Sequence, residues 1–242
     1  MSAVYGIVPA RPPVDGYPAG IAGAPVRRVT HGGLAALVSD VESDVRATRR
    51  DLLSHSAILE HAVSAGPVLP LRFGTVLRDD DAVKTELLAP RRDEFAALLN
   101  AFEQLVELRV KAFYVEEAVL REIVRSNPGI AHLREKTRQL PEPVAQAETL
   151  RLGEAVARAL EARRERDARS ILGRLHQLAE DTVVEDDEGG SVVIASFLVH
   201  RDRIPAFDEA MEELAREHDG VVTFKYLGPL PPHSFVSVTG QA

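Results

Sequence analysis

Residues 106–115 read VELRVKAFYV, and the first six of them alternate apolar with polar side chains. A period of two places successive side chains on opposite faces of the backbone, which is typical of a β-strand. Helical periodicity replaces this pattern from residue 116 and continues, with breaks at Asn127-Pro128-Gly129 and at two prolines, to about residue 180. We therefore predict that a strand opens a second domain and that a helical segment follows it.

Further strand and helix patterns follow the predicted helical segment. Residues 191–199 form a continuous apolar run, which is typical of a strand buried on both faces. Residues 204–218 have the spacing of an amphipathic helix, and strand patterns return at 221–227 and, more briefly, at 235–238. This order resembles a ferredoxin-like α+β layer whose first crossover is enlarged by a helical hairpin.

The first hundred residues show a different arrangement. Strand patterns cover residues 3–8, 26–30 and 34–38, and the last two flank His31-Gly32-Gly33 as a hairpin would. Thr48 and Asp51 have the spacing of a capping box, which predicts a helix with Leu52, Leu59 and Val63 on one apolar face. The two prolines of segment 67–77 disfavour a strand in its first half, so a short or edge strand is predicted at 71–77. Helices are predicted next, at 80–88 and 91–104.

These patterns predict an α+β fold with two domains. The chain has 242 residues, which exceeds the usual domain size of about 100–200 residues. We expect an N-terminal α+β domain, a small mixed sheet with helices, at residues 1–103. Residues 104–242 are expected to form a ferredoxin-like domain, with its helical insertion at about 116–180.

The composition excludes several classes of function. The net charge is −8 with an isoelectric point near 5.5, which disfavours binding to nucleic acid. There is no cysteine, so disulfides and thiolate chemistry are excluded. No apolar run approaches the roughly 20 residues that cross a bilayer, and the N-terminus lacks a signal-peptide pattern. We therefore expect a cytoplasmic protein without membrane or nucleic-acid partners.

The sequence carries no recognisable catalytic or cofactor motif. The eight histidines never stand three or four residues apart, the spacing at which a helix presents two metal ligands. No phosphate-binding glycine loop and no GxSxG nucleophile turn occur. We expect no metal, no cofactor and no enzymatic activity, and a function based on protein binding.

Segment 70–75, PLRFGT, is the first of two unusual stretches. Strand alternation would place Leu71 and Phe73 on one face and Arg72 on the other, beside Gly74, where another backbone can approach. Arg72 could then bind a carboxylate of a partner or of the other domain. The alternative is an ordinary surface or intramolecular salt bridge, which contributes little.

Segment 226–236, YLGPLPPHSFV, is the second. Its three prolines favour an extended backbone that loses little conformational entropy on ordering, which suits a recognition surface. Equally, it could be a stiff link between the last two strands, with Leu230 and Phe235 in the core. The two segments together give the candidate protein-contact residues Arg72, Phe73, Gly74, Pro229, Leu230, Pro231, Pro232 and His233.

These two segments, with YGIV at 5–8 and SHSAILEHAV at 54–63, resemble the gas vesicle protein F/L family over essentially the whole chain. Relatives commonly show Trp-Pro-Pro-Tyr where this chain has Leu230-Pro231-Pro232-His233. The resemblance implies a two-domain α+β protein, without a cofactor, that binds the major gas vesicle shell protein and other accessory proteins during assembly. Candidate binding surfaces are the predicted helical insertion at about 116–180, the loop at 9–25 and the edges of apolar strands.

A second function remains open from the sequence. Clefts between two domains commonly hold ligands, so the chain could instead be a small-molecule-binding or enzymatic α+β protein with an interdomain site.

Overall fold

Two β-sheets, each accompanied by helices, organise the chain. The structure is a computed structural model that describes residues 1–11, 16–42, 48–187 and 189–236, with the backbone alone at 142–144. The predicted mixed α+β fold class is confirmed. Among the helices of these described ranges, none is both long and apolar enough to cross a bilayer.

The first sheet contains five strands with the order β2-β3-β1-β4, and β5 also pairs with β1. All of its strand pairs are antiparallel. The predicted hairpin is confirmed, because its two strands pair directly through the turn at Gly32 and Gly33. The strands are β1 (Ser2–Pro9), β2 (Arg27–His31), β3 (Leu34–Asp40), β4 (Leu69–Pro70) and β5 (Val76–Leu77).

The first long helix, α1 (Arg49–Ala65), begins with the predicted capping box of Thr48 and Asp51. The apolar face was partly wrong: Leu59 and Val63 are buried, but Leu52 is 49% exposed. Further along the chain, α2 (Asp80–Ala82) continues as a π-helix (Val83–Leu88) and is followed by α3 (Arg92–Ala101), which begins one residue later and ends three residues earlier than predicted. The helices and the first sheet enclose a core that includes Ile7, Val38, Leu69, Leu88, Phe95 and Leu99.

The second sheet has the order β7-β8-β6-β9. Its strands are β6 (Leu105–Tyr114), β7 (Asp181–Val184), β8 (Val193–His200) and β9 (Val222–Leu230). The sequence did not predict β7, because four residues are too few for an alternating pattern to distinguish a strand from a loop. With β7 included, the elements follow the β-α-β-β-α-β order of ferredoxin-like folds.

Three helices fill the first crossover of this order. They are α4 (Glu116–Ser126), α5 (Pro128–Gln139) and α6 (Glu142–His176), and α6 packs against both of the others. Their shared core is made of Val119, Ile123 and Ile130 with Leu152, Val156 and Leu160 of α6 against them. The second crossover is α7 (Ile204–Glu217). We call α4, α5 and α6 together the helical arm.

The chain divides into two compact units that do not follow its order. The first contains Met1–Arg109, Ser196–Arg203 and the described part of the segment from Leu227 onward. The second contains Val110–Ala195 and Ile204–Tyr226. The predicted domain boundary between residues 103 and 104 stays a prediction.

The short strand predicted at 71–77 is observed only in its last two residues, as β5 (Val76–Leu77), and a strand also forms at Leu69–Pro70, where the prolines disfavoured one. Leu71 N donates to Tyr5 O and Val4 N donates to Thr75 O, each at 2.9 Å, so the chain leaves β1 after residue 71 and returns to it at residue 75. Between these points Thr75 N donates to Arg72 O at 3.1 Å and closes a turn. Gly74 has a φ of +89°, a conformation that disfavours other residues and is incompatible with a strand.

The predicted final strand at 235–238 is also not observed in its described half. Phe235 N and Val236 N both donate to Pro232 O, at 3.2 and 3.1 Å, which makes this stretch a turn. Residues 237 and 238 lie outside the described residues, as do 12–15 of the predicted loop at 9–25. Strand β9 instead continues through Pro229 to Leu230.

Candidate partner-binding surface

His55 of α1 contacts the first unusual segment. Its side chain is only 4% exposed, and its Nε2 lies 3.1 Å from Leu71 O. The ring packs edge-on against Phe73, with 5.6 Å between the ring centroids. His233 of the second segment is near enough to His55 for its charge to lower the pKa of His55. Both segments belong to the first compact unit.

Arg72 stands at the exposed side of the 71–75 turn. Its carbonyl accepts hydrogen bonds from Thr75 N and Thr75 Oγ1, so the turn fixes the backbone from which the side chain extends. Its guanidinium is exposed and forms no hydrogen bond or ion pair with the part of the chain that the structure describes. The predicted strand alternation around Arg72 is replaced by this turn.

The second segment is split between surface and interior. Pro229 and His233 are exposed and Leu230 is half-buried, whereas Pro231 and Pro232 are buried. His233 N donates to Pro231 O at 2.7 Å. The backbone is therefore not a simple link between two strands. It follows β9 as far as Leu230 and then turns back through His233.

We call the exposed and half-buried members of the two segments the motif surface. Its members are Arg72, Phe73, Gly74, Pro229, Leu230 and His233. These are six of the eight predicted contact residues; Phe73 packs against His55, and His233 is near enough to affect the pKa of His55. Pro231 and Pro232 are buried and are not part of this surface.

Both histidines of this region favour the neutral form. Burial lowers the pKa of His55, and the neighbouring His233 lowers it further against the opposing effect of the Leu71 carbonyl. Desolvation also lowers the pKa of His233, and Arg109 adds to this, while Glu107 raises it. At neutral pH, Arg72 therefore supplies the cationic group of the motif surface.

The N-terminal loop is anchored beside the same helix. Ile21 N donates to Tyr5 Oη at 2.9 Å, and Tyr5 Oη lies 2.5 Å from Ser39 Oγ. Ala22 N donates to Asp51 Oδ1 at 3.1 Å. These bonds fix the described end of the loop at 9–25, which the sequence suggested as a free contact surface.

Sequence reasoning missed the residues that support the motif surface. Tyr5, Asp51 and His55 bond or pack across the first unit, and Glu107 accepts hydrogen bonds from Ser234. The spacing of the capping box had identified Asp51 only as a helix-starting residue. No local period marks the other contacts, because their partners lie at least 16 residues away.

The geometry offers little for metal or small-molecule chemistry within the described ranges. Among residues 1–11, 16–42, 48–187 and 189–236, no three His, Asp or Glu side chains form a group that could hold a metal ion. A cavity of ≈ 550 Å³ lies at the end of α1, and Arg201 lines it while donating to Val63 O at 2.6 Å. None of the predicted contact residues lines this cavity.

A family model described as gas vesicle synthesis protein GvpL/GvpF matches residues 3–237. The chain belongs to this family. It is 40% identical to gas vesicle protein F of Streptomyces sp. (strain CB03234) over 212 residues, 88% of each chain. It is 28% identical to gas vesicle protein L of the same strain, and this match covers 92% of this chain and 87% of the relative.

A crystal structure supports the same relationship. The gas vesicle protein GvpF from Anabaena sp. PCC7120 superposes with a TM-score of 0.83, at 25% identity, over 98% of each chain. Membership of the family gives the chain a role in gas vesicle assembly. The family is one of gas vesicle proteins and is not a known enzyme family. The resemblance to the F/L family that the sequence motifs indicated is confirmed.

Proposed function

We propose that this chain acts in gas vesicle assembly by binding the major shell protein and other accessory proteins through the motif surface. In this role it is an accessory or minor structural protein at the gas vesicle shell. The observation that supports this most strongly is the exposed Arg72 guanidinium, which has no counter-ion in the described part of the chain and extends from the turn of the first family motif.

The chemistry of this surface suits a carboxylate on a partner. A guanidinium can form two parallel hydrogen bonds to one carboxylate, and such charged bonds are stronger than neutral ones. The turn that closes on Arg72 O restrains the backbone, so less conformational entropy is lost when the side chain binds. Arg72 is therefore prepared to bind, although it contributes little to folding.

The neighbouring residues provide an apolar complement to this charge. Phe73 is half-buried against His55, and Pro229 and Leu230 expose apolar area with little backbone freedom. Interfaces commonly place a charged anchor beside aromatic and apolar contacts of this kind. A partner segment with an acidic residue among apolar residues would fit it.

Co-expression tests this proposal directly. The chain and the major gas vesicle shell protein are expressed together, and the shell protein is expected to co-purify with the chain in soluble form. Removing the chain from a complete gas vesicle gene set should reduce vesicle formation. If vesicles form normally and the shell protein stays equally soluble without the chain, the proposal is wrong.

The alternative function, a small-molecule or enzymatic site between the two predicted domains, stays a prediction. No contact among the described residues of the first unit favours it over partner binding.

A further inference from the structure

Glu107 is an acidic side chain buried in the first compact unit. It lies on β6 and is 1% exposed. Burying a carboxylate is costly unless hydrogen bonds replace the water that it loses. The contacts that satisfy Glu107 therefore point to what this strand position holds in place.

Both carboxylate oxygens of Glu107 bind the same residue. Ser234 N donates to Oε2 and Ser234 Oγ donates to Oε1, each at 2.8 Å. The Ser196 hydroxyl lies 3.0 Å from Ser234 Oγ. Because the Ser234 hydroxyl has one proton, which Glu107 accepts, Ser196 completes the arrangement by donating to Ser234.

The other end of the proline segment meets the same strand. Gly228 approaches so closely that a β-carbon built on it would lie 2.5 Å from Leu108 Cδ2 and 3.1 Å from Glu107 O. Its φ of +151° also disfavours any side chain. Residues 229–233 are thus fixed at both ends on residues 107–108, at Gly228 by close backbone packing and at Ser234 by the carboxylate.

We propose that Glu107 is a positioning residue for partner binding, holding residues 229–233 in the conformation that a gas vesicle protein partner contacts. This inference rests on the proposed function, because Glu107 itself is buried and touches no partner. It acts through Ser234 on Pro229, Leu230 and His233. An uncharged residue would avoid the cost of burying a carboxylate but would lose the two charged hydrogen bonds to Ser234, which are stronger than neutral ones.

The Glu107→Gln variant tests the proposal with little change of shape. The amide keeps one acceptor oxygen and replaces the other with an N–H₂ group, so both hydrogen bonds to Ser234 lose the carboxylate charge and one loses its acceptor. We expect hydrogen exchange at the Ser234 amide to become at least about tenfold faster and shell-protein affinity to fall about tenfold. The control is Glu103→Gln, which makes the same change on an exposed side chain and should alter neither value.

A second readout separates positioning from general destabilisation. The Glu107 carboxylate raises the pKa of the nearby His233 against the larger effect of desolvation. In Glu107→Gln, the imidazole of His233 should therefore titrate at a lower pH than in the wild-type chain, as measured by NMR. If the variant does not fold, Ser234→Ala removes the hydroxyl donor alone and is examined for the same exchange and affinity changes.

The outcomes distinguish this inference from the proposed function. Wild-type chain that binds the shell protein while Glu107→Gln binds it equally well, with unchanged exchange at Ser234, overturns the positioning role and leaves the proposed function standing. Wild-type chain that has no affinity for the shell protein overturns the proposed function itself. If Glu107→Gln loses affinity and exchanges faster at Ser234 while Glu103→Gln does neither, the positioning role is supported.

Discussion

Polar side chains do different work in the first compact unit and in the helical arm. In the first unit, Asp51, His55 and Glu107 are buried and bond to backbone atoms of distant loops and turns. In the arm, pairs such as Lys136 with Glu148 join two partly exposed side chains on neighbouring helices. The buried polar groups of the first unit fix the conformation of loops and turns. The ion pairs of the arm lie on the surface of helices that an apolar core already stabilises.

This difference has an energetic basis. Removing a buried acceptor leaves its donors without water or a partner, which costs about 1–3 kcal/mol for each donor. An exposed ion pair contributes only about 0–1 kcal/mol, because water solvates both charges when the pair is broken. Substitutions in the two regions should therefore differ clearly in their effects on folding and on the motif surface.

The largest effect is expected for Asp51→Ala. Its carboxylate accepts hydrogen bonds from Thr48 N, Thr48 Oγ1 and Ala22 N, so the variant loses the Asp51 half of the capping box and the anchor of the N-terminal loop. We expect the free energy of unfolding to fall by about 2–4 kcal/mol in urea denaturation. The exposed Glu60 on the same helix gives the control, and Glu60→Ala should change it by less than about 0.5 kcal/mol. Equal effects of the two variants would contradict the comparison.

His55→Gln should have a smaller effect that depends on pH. The ring contacts with Tyr5 and Phe73 are lost, which we expect to lower the free energy of unfolding at pH 7 by about 1–3 kcal/mol. Burial lowers the pKa of His55 in the folded chain, so below pH about 6.5 the unfolded chain binds a proton that the folded chain does not.

The sign of the pH dependence follows from this difference. The stability of the wild-type chain should fall as the pH drops below about 6.5, by at most about 1.4 kcal/mol per pH unit for this one group. His55→Gln should flatten that decline. The free energy of unfolding is measured from pH about 5 to about 7.5, a range that brackets the ordinary pKa of histidine. The exposed His31→Gln serves as the control. A decline as steep as that of the wild type would show that His55 does not remain neutral.

Lys136→Ala should have the smallest effect. The ammonium lies 3.2 Å from Glu148 Oε1 but is half-exposed, and Glu148 also pairs with Arg151 at 3.1 Å. We expect the free energy of unfolding, measured by thermal unfolding, to fall by less than about 0.5 kcal/mol. A loss above about 1.5 kcal/mol would mean that the arm depends on its ion pairs as the first unit depends on its buried polar groups.

The sequence predicted the features that local periodicity determines. The alternation at 106–115, the capping box at Thr48 and the helical pattern after residue 116 each correspond to an observed element. The two family motifs indicated the family to which the chain belongs. These features share one property, since neighbouring residues in the chain are sufficient to specify them.

The features that the sequence did not predict depend on distant residues. Alternation along β6 places Glu107 on the same polar face as Arg109 and Lys111, so the pattern does not predict that Glu107 is buried. Its burial is explained by hydrogen bonds from Ser234, 127 residues away. Likewise, 71–77 has the composition of a strand, but its hydrogen bonds to β1 at both ends leave a turn between them. Only the tertiary fold reveals that Arg72 extends from a turn.

The most direct test of the partner-binding account is the affinity of Arg72→Ala for the shell protein with which wild-type chain co-purifies. We expect affinity to fall at least about tenfold, because a charged hydrogen bond contributes about 1.5–3 kcal/mol, and the free energy of unfolding to stay within about 0.5 kcal/mol of wild type. Arg125→Ala, which removes an exposed guanidinium from the helical arm, should change neither. An Arg72→Ala chain that binds as tightly as the wild type would contradict the account.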